Sequence, residues 1–293
     1  MLKTFLGNIP DFFIVEITNR CNIRCPACPW HTCMRRKIHD MTWEEYCVIL
    51  EKISPYAKAV CFYVMGEPFL NPDWYRIVKL THEQGIKTII SSNGMLLEEN
   101  MEKIFASGLD HLQVAVDGND SQTHEQYRVG SNYLKIMAAL EKLSKMKDSR
   151  QCKNPEVVIQ TLVTRQNENQ IDEIKSIMNQ LGFGFKTKKM HYGRTEIVSN
   201  KNRPLFMPSN ERFVRMEGKS YYSKGIPCVE MQHMVILSNG DVVPCCIDFD
   251  ASNKIGNIFS DSVMDIWTGQ RRNSFIENYN YRCNSFCEKC DLD

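Results

Sequence analysis

Seven of the thirteen cysteines fall into two sets whose spacing suits metal binding. Near the N-terminus, Cys21, Cys25 and Cys28 follow a C-x-x-x-C-x-x-C pattern. Thiolates are soft ligands that favour iron–sulfur clusters or zinc. Three thiolates on one loop can hold three corners of a four-iron cluster and leave the fourth iron open to a small molecule. Zinc is the alternative, because His31 follows three residues later and would complete a four-ligand site.

The second set has four members at the C-terminal end: Cys228, Cys245, Cys287 and Cys290. Four thiolates satisfy either a closed zinc site or a fully ligated four-iron cluster, so the spacing of this set is compatible with both kinds of site. The Asn239-Gly240 pair lies between two short apolar runs and predicts a hairpin that returns Cys245 towards Cys228.

An alternation of strand and helix patterns must position these residues. Apolar and β-branched runs predict strands at residues 12–17, 59–64, 87–90, 111–116, 157–163 and 185–189. Amphipathic stretches predict helices at residues 42–53, 74–84, 98–106, 133–147 and 170–180. This alternation favours a parallel α/β fold, which is either a partial barrel or a doubly wound sheet.

Reactive groups in such folds gather at the carboxyl ends of the strands. The loops after the first four predicted strands contain, in order, the first cysteine set, Gly66-Glu67-Pro68, Ser92-Asn93-Gly94 and Asp117-Gly118. Ordinary connecting loops also favour Gly, Asn and Asp, so this composition alone defines no function.

The overall composition argues against several classes of protein. The chain has 36 Lys and Arg against 35 Asp and Glu, so it shows no electrostatic sign of a nucleic-acid or anionic-membrane partner. Its longest clean apolar run, at 59–65, is too short to span a bilayer, and the N-terminal segment lacks a signal-peptide pattern. We therefore expect a cytoplasmic protein whose thiols stay reduced, which makes a disulfide framework a poor explanation for the cysteines.

The order and spacing of the motifs resemble the radical S-adenosylmethionine (SAM) superfamily. The resemblance rests on Cys21-Asn-Ile-Arg-Cys25-Pro-Ala-Cys28, then Gly66-Glu67-Pro68, then Ser92-Asn93-Gly94. It implies a partial (β/α)6 TIM-like barrel with a 4Fe–4S cluster whose open iron is chelated by SAM. It further implies an electron donor such as flavodoxin or ferredoxin. One electron would then cleave SAM to a 5′-deoxyadenosyl radical, which abstracts a hydrogen atom from substrate.

The resemblance also suggests roles for residues outside the cysteine loop. Gly66-Glu67-Pro68 corresponds to the motif that binds the amino group of SAM, for which a carboxylate and backbone acceptors are suitable partners. Ser92 and Asn93 lie where residues that contact SAM are expected. Asp117 is a candidate for the ribose or the substrate, and Arg128 for the SAM carboxylate. The alternative for these two is a strand-end turn and a surface cation.

The C-terminal segment resembles a SPASM/twitch extension in its shortened, one-cluster form. This implies an auxiliary 4Fe–4S cluster bound by Cys228, Cys245, Cys287 and Cys290. We accordingly divide the chain into a radical SAM core at 1–194, a bridging segment at 195–227 and an auxiliary module at 228–293. Cys246 adjoins a predicted ligand, so it either returns a hydrogen atom to a substrate radical, as in radical epimerases, or packs as an inert thiol.

Four functions are compatible with this reading. The favoured one is oxidation of a hydroxyl-bearing carbon in a sugar or aminocyclitol, because the chain resembles the scyllo-inosamine dehydrogenases in its compact core and one-cluster module. The second is epimerisation of a sugar or peptide with Cys246 as hydrogen donor. The third is modification of a ribosomal peptide, which is less favoured because the first strand begins by Phe12 and leaves no separate N-terminal recognition domain. The fourth is a metal-stabilised binding module, which has no need of the Gly66-Glu67-Pro68 loop.

Overall fold

One mixed β-sheet of nine strands runs through the part of the chain that the computed structural model describes, residues 9–190, 203–214, 228–281, 283–288 and 290. In chain order the strands are β1 (Phe12–Val15), β2 (Ala59–Phe62), β3 (Lys87–Ser92), β4 (His111–Ala115), β5 (Glu156–Leu162), β6 (Gly184–Lys188), β7 (Met234–Ile236), β8 (Asp241–Val243) and β9 (Gly256–Asn257). Their order across the sheet is β6-β5-β4-β3-β2-β1-β7-β8-β9. Most of the predicted bridging segment lies outside the described residues.

The first six strands are parallel, and each pairs with its neighbour in sequence. This arrangement confirms the prediction of a partial (β/α)6 barrel core. The predicted strand bounds agree with the structure to within two residues. The third strand continues to Ser92 because that residue still pairs with Val114 on β4.

Helices follow the strands along the chain, and the long helices of the barrel cover the outer face of the sheet. They are α1 (Pro29–Thr32), α2 (Trp43–Ile53), α3 (Trp74–Glu83), α4 (Leu97–Ala106), α5 (Ser121–Tyr127), α6 (Tyr133–Arg150), α7 (Ile171–Gln180), α8 (Arg203–Phe206), α9 (Val263–Thr268), α10 (Gln270–Asn280) and α11 (Ser285–Glu288). A capping box begins α2: the Glu45 N–H donates to Thr42 Oγ1 at 3.2 Å, and the Thr42 N–H donates to Glu45 Oε2 at 2.8 Å. None of the helices in the described ranges is long and apolar enough to cross a bilayer.

Two described helices of seven or more residues, α5 and α10, escaped the sequence prediction because they lack a clear apolar period. In α5 the sequence is SQTHEQY, and the start of the helix is fixed by Asp120, whose Oδ1 accepts the Thr123 N–H at 2.7 Å. In α10 the buried positions are Arg272, Phe275 and Tyr279. The i, i+3 and i+7 spacing of a helix face is present there, but a charged residue occupies one of its three positions.

The C-terminal segment extends the barrel sheet. Strand β7 pairs in parallel with β1, with Ile14 opposite Val235. The predicted hairpin is confirmed: β7 and β8 pair antiparallel, and Gly240 occupies the turn with a φ of +79°. The division of the chain into a core and an auxiliary module stays a prediction, because the hydrogen-bonded sheet is continuous across the proposed boundary.

A buried ion pair fastens the cysteine-loop region to the C-terminal segment. The Glu16 carboxylate is 0% exposed and receives two bonds from the Arg36 guanidinium, at 2.8 and 2.9 Å. The same carboxylate accepts the backbone N–H groups of Met65 at 3.0 Å and Ser238 at 3.2 Å. Arg36 Nε donates to the carbonyl of Phe249. One carboxylate therefore connects β1, the loop after β2 and the C-terminal hairpin.

Candidate active site

The first cysteine set lies on the loop that follows β1. The Cys28 N–H donates to the carbonyl of Cys25 at 3.0 Å, and α1 begins directly after Cys28. Burial raises the pKa of Cys21 to about 11 and that of Cys28 to about 12, and it also raises the pKa of Cys25. The three side chains pack in an apolar cluster that includes Tyr127 and Phe206. Buried thiols of this kind become thiolates only when positive charge is brought to them, and iron supplies that charge.

Three thiols on one loop suit a four-iron cluster that keeps one iron open. Tetrahedral zinc, with bonds of 2.3 Å, requires sulfur atoms about 3.8 Å apart. Across the described ranges, no group of three or more His, Cys, Asp or Glu side chains is placed to hold one ion. A cube binds each thiolate through a different iron atom, so its ligands stand farther apart. His31, the fourth ligand of the zinc alternative, is an exposed residue.

Gly66 brings the second motif directly against the cysteine loop. Its φ is +81°, and a Cβ at this position would lie 2.6 Å from the Thr18 carbonyl oxygen and 2.7 Å from that of Arg20. Only glycine combines this φ with so close an approach of two backbones. The Glu67 N–H then donates to the Arg20 carbonyl at 2.7 Å. Pro68 is buried in the 3-10 turn that follows.

The Glu67 carboxylate joins the second motif to the third. It is 1% exposed, and it accepts the Ser92 hydroxyl at 2.8 Å, the Asn93 N–H at 2.6 Å and the Phe69 N–H at 3.3 Å. Burial raises the pKa of Glu67 to about 7, although these hydrogen bonds act in the opposite direction. The carboxylate thus positions the Ser92-Asn93 loop, and its direct contact with the amino group of SAM stays a prediction.

Asn93 reaches the cysteine loop from the end of β3. Its Nδ2 donates to Asn22 Oδ1 at 2.7 Å and lies 3.8 Å from the sulfur of Cys21. Its Oδ1 accepts the Met95 N–H at 3.0 Å, which orients the amide. The first three motifs therefore form one connected surface around Cys21.

Asp117 and Arg128 form a buried pair beside the same loop. Arg128 Nε donates to Asp117 Oδ2 at 2.6 Å, and Arg128 Nη1 lies 3.7 Å from the sulfur of Cys25. Burial lowers the pKa of Arg128, but Asp117 and Cys25 outweigh it and the pKa is raised. The interpretation of Arg128 as a surface cation is wrong, since its side chain is only 17% exposed. Arg128 is the residue at which α5 ends, and the sequence did not predict that helix. Contact with SAM stays a prediction for both residues.

The structure also gathers the second cysteine set. Cys228 and Cys287 share one small apolar cluster, and burial raises the pKa of Cys228 to about 12. The Cys290 thiolate acts on the pKa of Cys228, and the Cys228 thiolate acts on that of Cys245. A hydrogen bond that the Cys245 thiol donates to Cys246, followed by burial, raises the pKa of Cys245. All four predicted ligands therefore lie in one region, and their assignment to a cluster stays a prediction.

Cys246 lies where the C-terminal segment meets the barrel. It packs against the cluster that contains Cys61 of β2, and its thiol donates to Glu230 Oε2 at 3.6 Å. Sequence reasoning did not single out Cys61 or Glu230. No local pattern marks them, because the C-terminal segment meets Cys61 only when β7 pairs with β1.

Part of the inner face of the barrel is polar. Strand alternation places Ser91, Gln113 and Lys186 on the face opposite the helices, and Gln113 Nε2 donates to Ser91 Oγ at 3.0 Å. Burial raises the pKa of Cys61 to about 12, and the positive charge of Lys186 acts against that shift. In a flat sheet β2 and β6 would be about 19 Å apart. The charge of Lys186 on β6 nevertheless acts on Cys61 of β2, as expected for a sheet that curves into a partial barrel around its inner face.

A parallel barrel with a buried thiol loop at the carboxyl ends of its strands defines the class of protein. The family model described as the radical SAM superfamily matches residues 15–178, and the chain belongs to that superfamily. A model described as the SPASM iron–sulfur cluster-binding domain matches residues 228–291. The chain is therefore a radical SAM enzyme with a SPASM domain. Its cofactors are a 4Fe–4S cluster, SAM and auxiliary iron–sulfur, as predicted.

Curated relatives share this class at low sequence identity. An AdoMet-dependent heme synthase from Methanosarcina barkeri is 26% identical over 60% of this chain, and the match spans 49% of that protein, about half its length. A tungsten-containing aldehyde ferredoxin oxidoreductase cofactor-modifying protein from Pyrococcus furiosus is 23% identical over 96% of this chain and 87% of its own. A PqqA peptide cyclase from Gluconobacter oxydans is 25% identical over 71% of this chain and 56% of its own.

Solved structures share the fold. BtrN in complex with AdoMet and 2-DOIA superposes with a TM-score of 0.60 at 19% identity, covering 97% of this chain and 92% of its own. Streptococcus suis SuiB bound to S-adenosylmethionine gives a TM-score of 0.68 at 17% identity, covering 95% of this chain and 68% of its own. At these identities the likeness establishes the barrel and its C-terminal extension, not the reaction.

Proposed function

We propose that the chain is a radical SAM oxidoreductase that dehydrogenates a hydroxyl-bearing carbon of a small polar molecule. The observation that carries this proposal is the continuity of the sheet from the barrel into the SPASM segment. It sets Cys246, the neighbour of the predicted ligand Cys245, against Cys61 of β2. An electron acceptor at this place borders the inner cavity, and net oxidation requires such an acceptor.

The bound cofactors supply hydrogen-atom abstraction from a substrate carbon and a place for the second electron that leaves it. The chain's own residues position the substrate and exclude water. Ile23, Tyr127 and Phe206 cover the cysteine loop with apolar surface. On the inner wall, Ser91, Gln113 and their neighbours offer the hydrogen-bonding groups that a hydroxyl-rich molecule needs.

Electron counting favours oxidation when an acceptor lies beside the cavity. The substrate loses one hydrogen atom, then one proton and one electron, and the carbon that carried the hydroxyl becomes a carbonyl. Epimerisation needs no acceptor, because one hydrogen atom leaves and one returns. A SPASM segment that is hydrogen-bonded to the barrel can therefore serve oxidation as the electron acceptor, whereas epimerisation does not need it.

Epimerisation is the second candidate, and Cys246 is the observation that favours it. Its thiol is half-buried at the edge of the inner face and bonds to Glu230 at 3.6 Å, so it is available as a hydrogen-atom donor. A peptide substrate is the third candidate. It is supported by the similarity to PqqA peptide cyclase over 71% of this chain.

Product analysis in heavy water separates these candidates. The anaerobically reconstituted enzyme is supplied with SAM, a reductant and, in separate pools, polyhydroxylated small molecules and peptides. Oxidation gives a product that lacks two hydrogen atoms and carries no solvent deuterium. Epimerisation gives a product that carries one solvent deuterium. Consumption in the peptide pool alone would replace the proposal with peptide modification.

Two variants complete the test. We expect Cys246→Ala to retain carbonyl formation, since oxidation returns no hydrogen atom. We expect Cys287→Ala to form 5′-deoxyadenosine and lose the carbonyl product, since it removes a predicted ligand of the electron acceptor. A deuterium-labelled product that disappears in Cys246→Ala would show that the chain is an epimerase.

A further inference from the structure

Lys186 and Gln160 are direct neighbours on the inner face of the barrel. The two residues pair across β5 and β6. Ile159 and Phe185, the residues that precede them, belong to the core on the helix side. Because successive side chains on a strand point to opposite faces, Gln160 and Lys186 both point into the cavity.

Neither side chain has a partner. Throughout the described ranges, the Lys186 ammonium makes no ion pair or side-chain hydrogen bond, and the Gln160 amide makes none. Lys58, by comparison, pairs with Asp11 at 2.8 Å. The Lys186 ammonium and the Gln160 amide thus keep their N–H donors available to a group that enters from the inner face.

Two described carboxylates near the inner face, those of Glu156 and Glu230, are engaged elsewhere. Glu156 occupies the amino end of β5 and pairs with His111 at 3.1 Å. Glu230 lies on the opposite side of the cavity with Cys246. The surrounding strands remove enough water from Lys186 to lower its pKa, although the side chain is exposed to the open cavity. A partly desolvated ammonium gains most from an anion that enters with the substrate.

The pair shares its face of the sheet with residues that contact the first cysteine set and with Cys61, the neighbour of Cys246. Two residues after Gln160 and on the same face of β5, Leu162 packs in the apolar cluster that contains Cys25. Across the cavity, Lys186 acts electrostatically on Cys61, which packs with Cys246. A group held at Lys186 would therefore leave the rest of a small molecule between the radical SAM site and the auxiliary site.

We propose that Lys186 and Gln160 bind an anionic oxygen group of the substrate, a carboxylate or a phosphate. This inference rests on the proposed function and defines its substrate class as a small anionic molecule. The ammonium supplies charge, and the Gln160 amide supplies a neutral N–H donor. Because the site needs no catalytic step, its occupancy can be measured without turnover.

Protection from acylation tests the site directly. The reconstituted holoenzyme is treated with a water-soluble acetylating ester in the presence of inorganic phosphate, acetate or chloride at equal ionic strength. Peptide mapping follows the acetylation rates of Lys186 and of Lys175, an exposed residue on the outer helix α7. We expect phosphate or acetate to slow acetylation of Lys186 at least fivefold with saturation, and to leave Lys175 unchanged. The anion that protects Lys186 more strongly shows whether the charged group of the substrate is a phosphate or a carboxylate.

Variants give the decisive comparison. We expect Gln160→Leu to raise the concentration of anion needed for half-protection at least threefold, and Gln160→Glu to abolish protection. Uncoupled formation of 5′-deoxyadenosine shows that each variant is folded. Equal protection by chloride, equal protection of Lys175, or unchanged protection in Gln160→Glu would overturn the inference.

The inference and the proposed function fail in different ways. If anions protect Lys186 but no oxidised product forms, the proposed reaction is wrong and the anion site stands. If a carbonyl product forms from a neutral molecule and no anion protects Lys186, the reaction stands and the anion site is wrong.

Discussion

Removing the positive charge from the buried Glu16–Arg36 pair should destabilise the protein strongly. In Arg36→Met, the Glu16 carboxylate stays 0% exposed but keeps only the backbone N–H groups of Met65 and Ser238. An uncompensated buried charge of this kind costs about 3–5 kcal/mol. At about 2 °C per kcal/mol for a chain of this size, the thermal midpoint should fall by about 6–10 °C.

The orphaned charge, rather than lost packing, should cause most of this change. The double variant Glu16→Gln/Arg36→Met removes the charge and keeps an acceptor for one backbone N–H. It should recover at least about 2 kcal/mol of the loss, or about 4 °C. Scanning calorimetry of the anaerobically reconstituted proteins at one scan rate measures both shifts.

A surface ion pair provides the matched control. Lys79 and Glu83 approach to 2.6 Å on α3, with side chains 46% and 51% exposed, so Lys79→Met should leave the midpoint unchanged. The reasoning is refuted if Arg36→Met behaves like Lys79→Met. It is also refuted if the double variant is as unstable as Arg36→Met alone.

Three further predictions concern the surface around the cysteine loop. Gly66→Ala should lower the thermal midpoint and weaken SAM binding in equilibrium dialysis, because its Cβ would lie 2.6 Å from the Thr18 carbonyl oxygen. The control is Gly85→Ala, where φ is +75° but the added Cβ meets nothing within 4 Å. It should cost only the backbone strain of about 1–2 kcal/mol and leave SAM binding unchanged. Glu67→Gln should weaken SAM binding about tenfold, because an amide has one acceptor oxygen where the carboxylate has two, so the Ser92 hydroxyl and the Asn93 N–H cannot both keep their own oxygen. An unchanged affinity would remove the positioning role of Glu67. Burial lowers the pKa of His124 to about 4. Its neutral form therefore contributes stability that is complete above the ordinary pKa of about 6.5 and is lost as the pH falls towards 4. Relative to His124→Asn, the wild type should lose about 1.4 kcal/mol of unfolding free energy by pH 5.5, and parallel pH profiles of the two proteins would contradict this.

The sequence predicted the parts of the molecule that depend on local patterns. The cysteine spacing, the strand runs and the Asn239-Gly240 turn each act within a few residues, and the structure contains the predicted strands and hairpin. The failure to predict α5 also has a local cause, because the helix that follows the Asp120 cap is polar and has no apolar period.

Contacts between distant segments could not be read from the sequence. Pairing of β7 with β1 joins residues more than two hundred positions apart, and it alone brings Cys246 to Cys61. The neighbouring positions of Gln160 and Lys186 likewise depend on strand register. Motif reasoning assigned Glu67 to the cofactor, but only the structure shows that its carboxylate fixes the next loop.

Formation of 5′-deoxyadenosine from SAM is the most direct measurement. The anaerobically reconstituted, reduced wild type and Cys287→Ala should both form it, and Cys25→Ala should form none, because Cys25 belongs to the three-thiol loop. Formation that persists in Cys25→Ala, or an iron-loaded wild type that leaves SAM intact, would contradict the assignment of this loop to radical chemistry.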